Sequence, residues 1–265
     1  MRTDSRLTVG QSQTAWSCQR YASLLLDPEQ PRARSSDGAF RLTNAVSVAV
    51  LDAHRMHDDR SHSEPNRLSD ALSNAVAPPE LGHEEAARFR TALDAYEEAF
   101  GSHVEADAVQ VHAKADSPLK VAIGHSGVML TGSVRLAFAP TLGESAQHSG
   151  NIVVRTVSIG PLPSGQTSDT RSDALRLIAL GAAEGETHRL FVTPGGASQI
   201  KTTVFSHLDL RQMFREFGDV VDAAVAAGPN ATPTEGWWCA GCAFVRNCPV
   251  VSTTRMADLV EAYPR

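Results

Sequence analysis

Cysteine is scarce in this chain, which has only four in 265 residues, and aromatic side chains account for 6% of the sequence. Long apolar runs are absent as well. No stretch of about eighteen consecutive apolar residues occurs, and a membrane-spanning helix needs roughly that length. We therefore expect no membrane as a partner, although an apolar content of 42% is enough to build a core.

Residues 1–10 are polar and lack the apolar segment of a secretory signal. We therefore expect a cytoplasmic location, where cysteines stay reduced and disulfides are rare. The formal net charge of −6 and the pI of about 5.9 argue against a protein that coats nucleic acid non-specifically, because that affinity comes from neutralising phosphates with basic side chains.

Two common catalytic motifs are also missing from the sequence. No glycine-rich phosphate loop of the G-x-x-x-x-G-K type occurs, and no G-x-S-x-G serine nucleophile motif occurs. These absences exclude the enzyme classes that depend on the two motifs. No internal repeat is visible either, so a solenoid is not expected.

The hydrophobic pattern predicts a single α/β domain over residues 1–265, with a central mixed sheet flanked by helices. Apolar positions at helical spacing predict helices, and alternating or valine-rich runs predict strands. Predicted helices cover residues 20–26, 40–56, 68–76, 84–100, 173–184 and 210–227. Predicted strands cover residues 104–114, 120–124, 128–140, 152–159, 188–193 and 200–206.

The four cysteines form the most informative motif. Cys239, Cys242 and Cys248 are spaced C-x2-C-x5-C within residues 237–250, and Cys18 lies more than two hundred residues upstream. Four cysteine sulfurs are the usual protein ligands of a [4Fe–4S] cluster, which is the cofactor we predict. Zinc is the alternative, since it also accepts four thiolates, although structural zinc sites usually come as two short cysteine pairs.

One cysteine near the start and C-x2-C-x5-C after the last helix resemble the iron–sulfur branch of the PD-(D/E)XK nucleases. This branch includes the RecB/AddB-type exonuclease domains and the CRISPR-adaptation nucleases, and the resemblance covers roughly residues 14–250. It implies a restriction-endonuclease-like fold whose chain ends are joined at the cluster, beside a DNA-binding cleft. It also implies a Mg²⁺ or Mn²⁺ site built from a helix histidine, an aspartate and a D/E-x-K strand.

Residue by residue, the resemblance carries over only in part. His54 matches the helix histidine, and Glu105 matches an acidic position sometimes found on the first strand. Arg135 and Arg155 stand where the metal-binding acids should be, and Val157 replaces the lysine. A guanidinium cannot ligate Mg²⁺ and repels it. We therefore predict a pseudo-nuclease with no catalytic residues.

The predicted function is a DNA-binding or complex-forming subunit in DNA processing, repair or defence. Arg135 and Arg155 are the predicted phosphate contacts, because guanidinium groups bind phosphate through paired hydrogen bonds. They are equally consistent with strand arginines that face solvent or pair with carboxylates. The expected partners are DNA, or a helicase or nuclease protein. Two alternatives remain open: an active nuclease that uses Glu105, Asp107 and Asp116, and an interaction scaffold that binds no DNA.

Overall fold

The structure is a computed structural model that describes residues 6–27, 38–58, 67–101, 109–111, 119–132, 137–140, 152–160 and 170–236, together with Cys239, Cys242, Phe244 and Cys248. Its helices are α1 (Val9–Ser17), α2 (Gln19–Leu26), α3 (Gly38–Asp58), α4 (Arg67–Ser73), α5 (His83–Phe100), α6 (Arg171–Ala179) and α7 (His207–Ala227), and a 3-10 turn follows at Gly228–Asn230. Its strands are β1 (Arg6–Thr8), β2 (Val109–Val111), β3 (Leu119–Ile123), β4 (Val128–Gly132), β5 (Ala137–Pro140), β6 (Ile152–Ile159), β7 (Gly185–Val192) and β8 (Ser198–Phe205). Among the described helices, none is both long enough and apolar enough to cross a bilayer.

The fold is mixed α/β, with two small mixed sheets flanked by helices, where the sequence predicted one central sheet. Five strands form the larger sheet in the order β2-β5-β6-β7-β8, in which β6 and β7 run parallel and the other neighbours antiparallel. The smaller sheet has the order β1-β4-β3. The run 128–140, predicted as one strand, is divided between the two sheets as β4 and β5. Alternating hydrophobicity marks a strand but does not identify its partner.

Helices α3 and α5 pack on one face of the five-stranded sheet, and α4 packs against these two helices. The apolar stripe of α5 places Phe89, Leu93, Tyr96 and Phe100 in this core, where they pack with Val157 and other residues of β6 and β7. Helix α5 begins after Gly82, whose N–H donates to Glu85 at 3.1 Å. It ends at Gly101, as the sequence predicted.

A second core joins the two ends of the chain. Helices α1 and α2, the three-stranded sheet, α6 and α7 pack together around Leu7, Trp16, Leu130 and Phe217. The sequence did not predict β1 or α1, although Thr8 and Gln11 form a capping box at the start of α1. The first and last helices of the described chain therefore lie side by side.

Asp222 of α7 fixes this helix to the β3–β4 hairpin. Its carboxylate accepts the backbone N–H groups of His125 and Ser126, each at 2.8 Å. Burial alone would raise the pKa of Asp222, but these hydrogen bonds lower it overall. Gly124 has φ +58°, and a Cβ there would meet an Asp222 oxygen at 2.5 Å. Glycine is therefore required at this turn.

Helix α6 is shorter than predicted. The sequence pattern extended it to residue 184, but it ends at Ala179, and Gly181 follows with φ +72°. The left-handed conformation of Gly181 terminates the helix, as glycine commonly does. The next strand, β7, begins earlier than predicted, at Gly185. A Cβ on Gly185 would lie 2.5 Å from the carbonyl oxygen of Ile152, so close pairing with β6 also requires glycine there.

Candidate metal centre and buried arginine cluster

Cys18 occupies the junction between α1 and α2. Its N–H donates to the carbonyl of Thr14 at 2.9 Å, and its own carbonyl accepts the N–H of Ala22 at 3.1 Å. The N–H of Cys18 thus belongs to the end of α1, and its carbonyl belongs to the start of α2. The side chain makes no capping hydrogen bond. The residue is buried. The thiol is therefore held in place without being used for helix capping.

Helix α2 binds the C-terminal region directly after Cys18. Arg20 donates from Nη1 to the carbonyl oxygen of Pro229. The ring of Tyr21 packs edge-on against Phe244, with 5.7 Å between centroids. Phe244 lies between the second and third cysteines of the C-x2-C-x5-C motif. These contacts keep the two ends of the chain together at the cysteines.

The C-terminal cysteines begin with a tight turn. Cys239 donates its N–H to the carbonyl of Gly236 at 2.9 Å, and Cys242 donates to the carbonyl of Cys239 at 3.2 Å. Cys239 is buried, while Cys242 and Cys248 are half-buried. All four cysteines are free thiols in this structure.

The surroundings of two C-terminal thiols raise their pKa values. Burial raises the pKa of Cys242 to about 11, a backbone hydrogen bond from Phe244 opposes this, and negative charge on Cys18, Cys239 and Cys248 raises it further. Burial likewise raises the pKa of Cys239, with a smaller contribution from Cys18 and Cys248. Mutual repulsion of thiolates is what a bound cation relieves.

The donor set of this region fits a thiophilic metal. It offers four sulfurs, and backbone hydrogen bonds from Gly236 and Phe244 partly offset the rise that burial causes in the pKa values of Cys239 and Cys242. In the part of the chain that the structure describes, no three histidine, cysteine or acidic side chains converge into a group that could hold a metal ion. The described residues therefore show no ligand geometry at the four sulfurs, and a bound metal stays a prediction.

A second group of chemistry-bearing residues lies between α3, α5 and the five-stranded sheet. Arg155 points to the helix-covered face of β6 and is only 9% exposed. Its guanidinium carbon lies 4.6 Å from the ring centroid of Phe100, a cation–π arrangement. It also forms a hydrogen bond with Tyr96. Arg155 is thus tied to α5.

Tyr96 connects Arg155 to His54. Its hydroxyl oxygen lies 3.0 Å from Nε2 of His54, a residue of α3 that is 4% exposed. Burial raises the pKa of Tyr96, while the charge and the hydrogen bond of Arg155 lower it in part. A protonated hydroxyl can accept from the guanidinium of Arg155 and donate to Nε2 of His54.

The cluster reaches the surface through β7. His188 is the register neighbour of Arg155 on the adjacent parallel strand, and its ring stacks on Phe100 with centroids 6.0 Å apart. Its Nε2 lies 3.2 Å from Oε1 of Glu186, whose side chain is 32% exposed. The polar residues thus form a layer from solvent to the buried His54.

Only some of the site residues predicted from the sequence lie in the part of the chain that the structure describes. His54, the proposed metal-ligand position, is hydrogen-bonded to Tyr96. Arg155 contacts aromatic side chains of α5, so its role in binding phosphate stays a prediction. The other candidates, Arg135, Glu105, Asp107 and Asp116, lie outside the described residues.

Sequence reasoning missed the partners of Arg155. Tyr96 and Phe100 were assigned only to the apolar stripe of α5, and His188 was assigned only to a strand. The sequence held one signal. On their strands, Arg155 and His188 occupy the same alternating positions as the apolar residues that face the helices. The sequence does not show that β6 pairs with β7, so it could not reveal that Arg155 and His188 lie side by side.

Neither a family model nor a curated protein matches the chain. The crystal structure of a protein named SSO0001 matches with 12% sequence identity and a TM-score of 0.37, over 89% of this chain and 96% of that chain. At this TM-score the similarity carries no argument about the function of the chain.

Proposed function

We propose that the chain is a non-catalytic [4Fe–4S] protein with a restriction-endonuclease-like fold, which serves as a complex-forming subunit in DNA processing, repair or defence. Cys18, Cys239, Cys242 and Cys248 would hold the cluster. The observation that carries the proposal is that Arg20 and Tyr21, which follow Cys18 on α2, contact Pro229 and Phe244, and Phe244 lies between Cys242 and Cys248.

The cluster would act mainly as a clasp. Bound iron supplies strong bonds to four thiolates and removes their repulsion. A link between Cys18 and the C-terminal motif closes a loop of more than two hundred residues. Chain-entropy estimates for a cross-link closing a loop of this size are about 5.4 kcal/mol. The contacts of Arg20 and Tyr21 with the C-terminal region prepare the closure before any metal binds.

Metal analysis tests this assignment. Protein purified without oxygen should show a broad absorption band at about 400 nm and contain about four irons per chain. Cys18→Ala should lose iron and melt at a lower temperature. Gln19→Ala, which changes a half-buried neighbour on α2, is the matched control and should keep both. Stoichiometric zinc in place of iron would establish the alternative metal, and an unchanged melting temperature in Cys18→Ala would reject the clasp.

The absence of catalysis is inferred from Arg155. A guanidinium on β6 stands at the position where the resemblance requires a metal-binding acid, and it is engaged by Tyr96 and Phe100. With Mg²⁺ or Mn²⁺ the protein should cleave neither single- nor double-stranded DNA. Cleavage that disappears in Glu105→Ala or Asp107→Ala would show that an active nuclease site exists.

The burial of Arg155 favours complex formation over DNA binding. Phosphate contacts require a guanidinium that can leave its internal partners, and Arg155 is 9% exposed. DNA binding through Arg135 and Arg155 makes a separate prediction, which is an affinity that falls with salt and falls again in Arg155→Gln. Strong, salt-dependent DNA affinity that is lost in Arg155→Gln while the fold is retained would replace complex formation as the proposed function.

A further inference from the structure

Two arginines share one carboxylate at the start of α6. Arg176 of this helix donates from Nη1 to Oδ1 of Asp173 at 2.8 Å, and Arg189 of β7 donates from Nη2 to the same oxygen at 2.5 Å. The side chain of Asp173 is 6% exposed, and those of Arg189 and Arg176 are 15% and 26% exposed. One positive charge therefore stays in excess within a largely buried group.

This excess charge is unfavourable where it lies. Burial lowers the pKa of Arg176, Asp173 opposes this shift, and the charge of Arg189 lowers the pKa further. Buried charges are normally paired, because an unpaired charge loses its hydration without compensation. An anion beside the two guanidinium groups would balance them.

The two guanidinium groups keep donors for such an anion. Their contacts with Asp173 use one nitrogen each, and the same two nitrogens reach Oγ of Ser172, at 3.4 Å from Arg176 and 2.8 Å from Arg189. A guanidinium has five N–H groups on three nitrogens, so most donors of both arginines are not used by the described residues. The hydroxyl of Ser172 accepts from Arg189, which leaves its own hydrogen to donate to a ligand.

Two buried hydroxyl groups beside Arg189 have no hydrogen-bond partner in the described part of the chain. They are Oγ1 of Thr187, a residue that is 1% exposed, and Oγ1 of Thr156. Thr156 is the register neighbour of Arg189 on β6, and Thr187 precedes Arg189 by two residues on β7. All three side chains therefore point to the face of the sheet that α6 covers. Buried hydroxyls are nearly always hydrogen-bonded in folded proteins, so this pair indicates a ligand.

We propose that the start of α6 and the adjoining face of β6 and β7 form a phosphate-binding site. Arg176, Arg189 and Ser172 would donate to the phosphate oxygens from the helix side, and Thr156 and Thr187 would donate from the sheet. The positive end of the dipole of α6 adds to the attraction. This inference does not rest on the function proposed above.

Asp173 distinguishes phosphate from other small anions. Its carboxylate accepts hydrogen bonds and cannot donate them, and it lies between the arginines that the anion must approach. Sulfate carries no proton at neutral pH, so Asp173 repels it. Free phosphate keeps a proton, which it can donate to Asp173. Acetate offers two oxygens, whereas a phosphate group offers enough oxygens to use donors on both the helix and the sheet.

Calorimetric titration of the full chain with inorganic phosphate tests the site, in a buffer free of phosphate and sulfate. Phosphate should bind about tenfold or more tightly than sulfate or acetate, as expected for one hydrogen bond to a charged group. The melting temperature should rise with phosphate concentration, because a ligand that binds the folded chain stabilises it. Adenosine monophosphate identifies the source: tighter binding than free phosphate shows that a nucleotide supplies the group, and weaker binding shows that free phosphate does. Adenosine should not bind.

Three substitutions make the test specific. Arg189→Gln should weaken phosphate binding about tenfold or more. Thr187→Val keeps the shape of the side chain and should also weaken binding, without lowering the melting temperature of the phosphate-free chain, because it removes a hydroxyl that has no partner. Asp173→Asn should abolish the preference for phosphate over sulfate. The matched control is Arg88→Gln, which removes an arginine paired with Glu84 on α5 and should bind phosphate as the unaltered chain does.

Two results overturn the site. One is that phosphate does not bind, or binds no more tightly than sulfate, which shows that the arginines form only a structural ion-pair group. The other is phosphate binding that is unchanged in Thr187→Val and in Arg189→Gln. If Arg189→Gln does not fold, Thr187→Val alone decides, since the folded chain loses no hydrogen bond in that variant.

Discussion

Replacing Tyr96 by phenylalanine removes a single oxygen atom from the buried arginine cluster. That oxygen lies 3.0 Å from Nε2 of His54 and forms a hydrogen bond with Arg155. Tyr96 is fully buried, and both partners are at least nine-tenths buried, so water cannot replace the lost contacts. The substitution keeps the ring and its contact with Phe100, whose centroid lies 5.0 Å away.

The expected loss is about 3 kcal/mol. A hydrogen bond to a charged group contributes about 1.5–3 kcal/mol, and one between neutral groups contributes about 0.5–1.5 kcal/mol. For a domain of this size, each kcal/mol lowers the melting temperature by about 2–4 °C. Tyr96→Phe should therefore melt about 6–12 °C lower. In urea the midpoint should fall with an unchanged slope, since the surface exposed on unfolding is the same.

Tyr21→Phe is the matched control for this prediction. It makes the same chemical change in a ring that packs on Phe244, and no hydrogen bond joins its hydroxyl to the described residues. It should cost less than about 1 kcal/mol. If Tyr96→Phe costs no more than Tyr21→Phe, the hydroxyl does not join His54 to Arg155, and the cluster is not a connected network.

Three further predictions concern backbone geometry and pH. Gly124→Ala should destabilise the fold by about 2 kcal/mol or more, because alanine is strained in the left-handed conformation and its Cβ would meet the carboxylate of Asp222. Gly127→Ala is the control, since Gly127 has φ +74° but no atom within 4 Å of the new Cβ. It should show only the backbone cost, about 1–2 kcal/mol. The stabilising effect of Asp222 is present above pH 3.8 and should be lost as the pH falls below that value, since its folded-state pKa is lowered; acid titration of the melting temperature should therefore lose a component in Asp222→Asn. Tyr96 has a raised pKa in the fold, so its contribution should hold below pH 10.0 and decline at higher pH as the unfolded chain ionises first, and Tyr96→Phe should remove that alkaline decline.

The long helices were predictable because their apolar positions recur over many turns. Helices α3, α5 and α7 have 18 to 21 residues each, and their sequences place one stripe toward a core. Strand β1 has only three residues, and its single buried side chain, Leu7, gives no alternation to detect. The division of the strands into two sheets could not be predicted either. Strands β4 and β5 pair with different strands, but their hydrophobic patterns do not show this.

The cysteine motif was easier to recognise in the sequence than the arginine cluster, although the metal it would hold stays a prediction. Cysteine spacing is a local property of the chain, so three of the four thiols could be grouped from sequence alone. The environment of Arg155 depends on Tyr96 and Phe100, which precede it by more than fifty residues and reach it only after α5 packs on β6. A strand arginine therefore fits an exposed or a buried position equally well until the helix is in place.

The two sites belong to different cores, and α6 packs between the core that holds α1 and α2 and the face of β6 opposite to Arg155. Arg171, at the start of α6, donates to the hydroxyl of Ser17 at 3.2 Å, next to Cys18. Leu175 of the same helix packs in the core that holds α1 and α2, whereas Leu177 packs against Val154 of β6. Loss of the link at Cys18 should therefore loosen α6 and, through it, the sheet that carries Arg155. Melting in Cys18→Ala should therefore involve α1, α2 and β6 together, because α6 packs against all three elements.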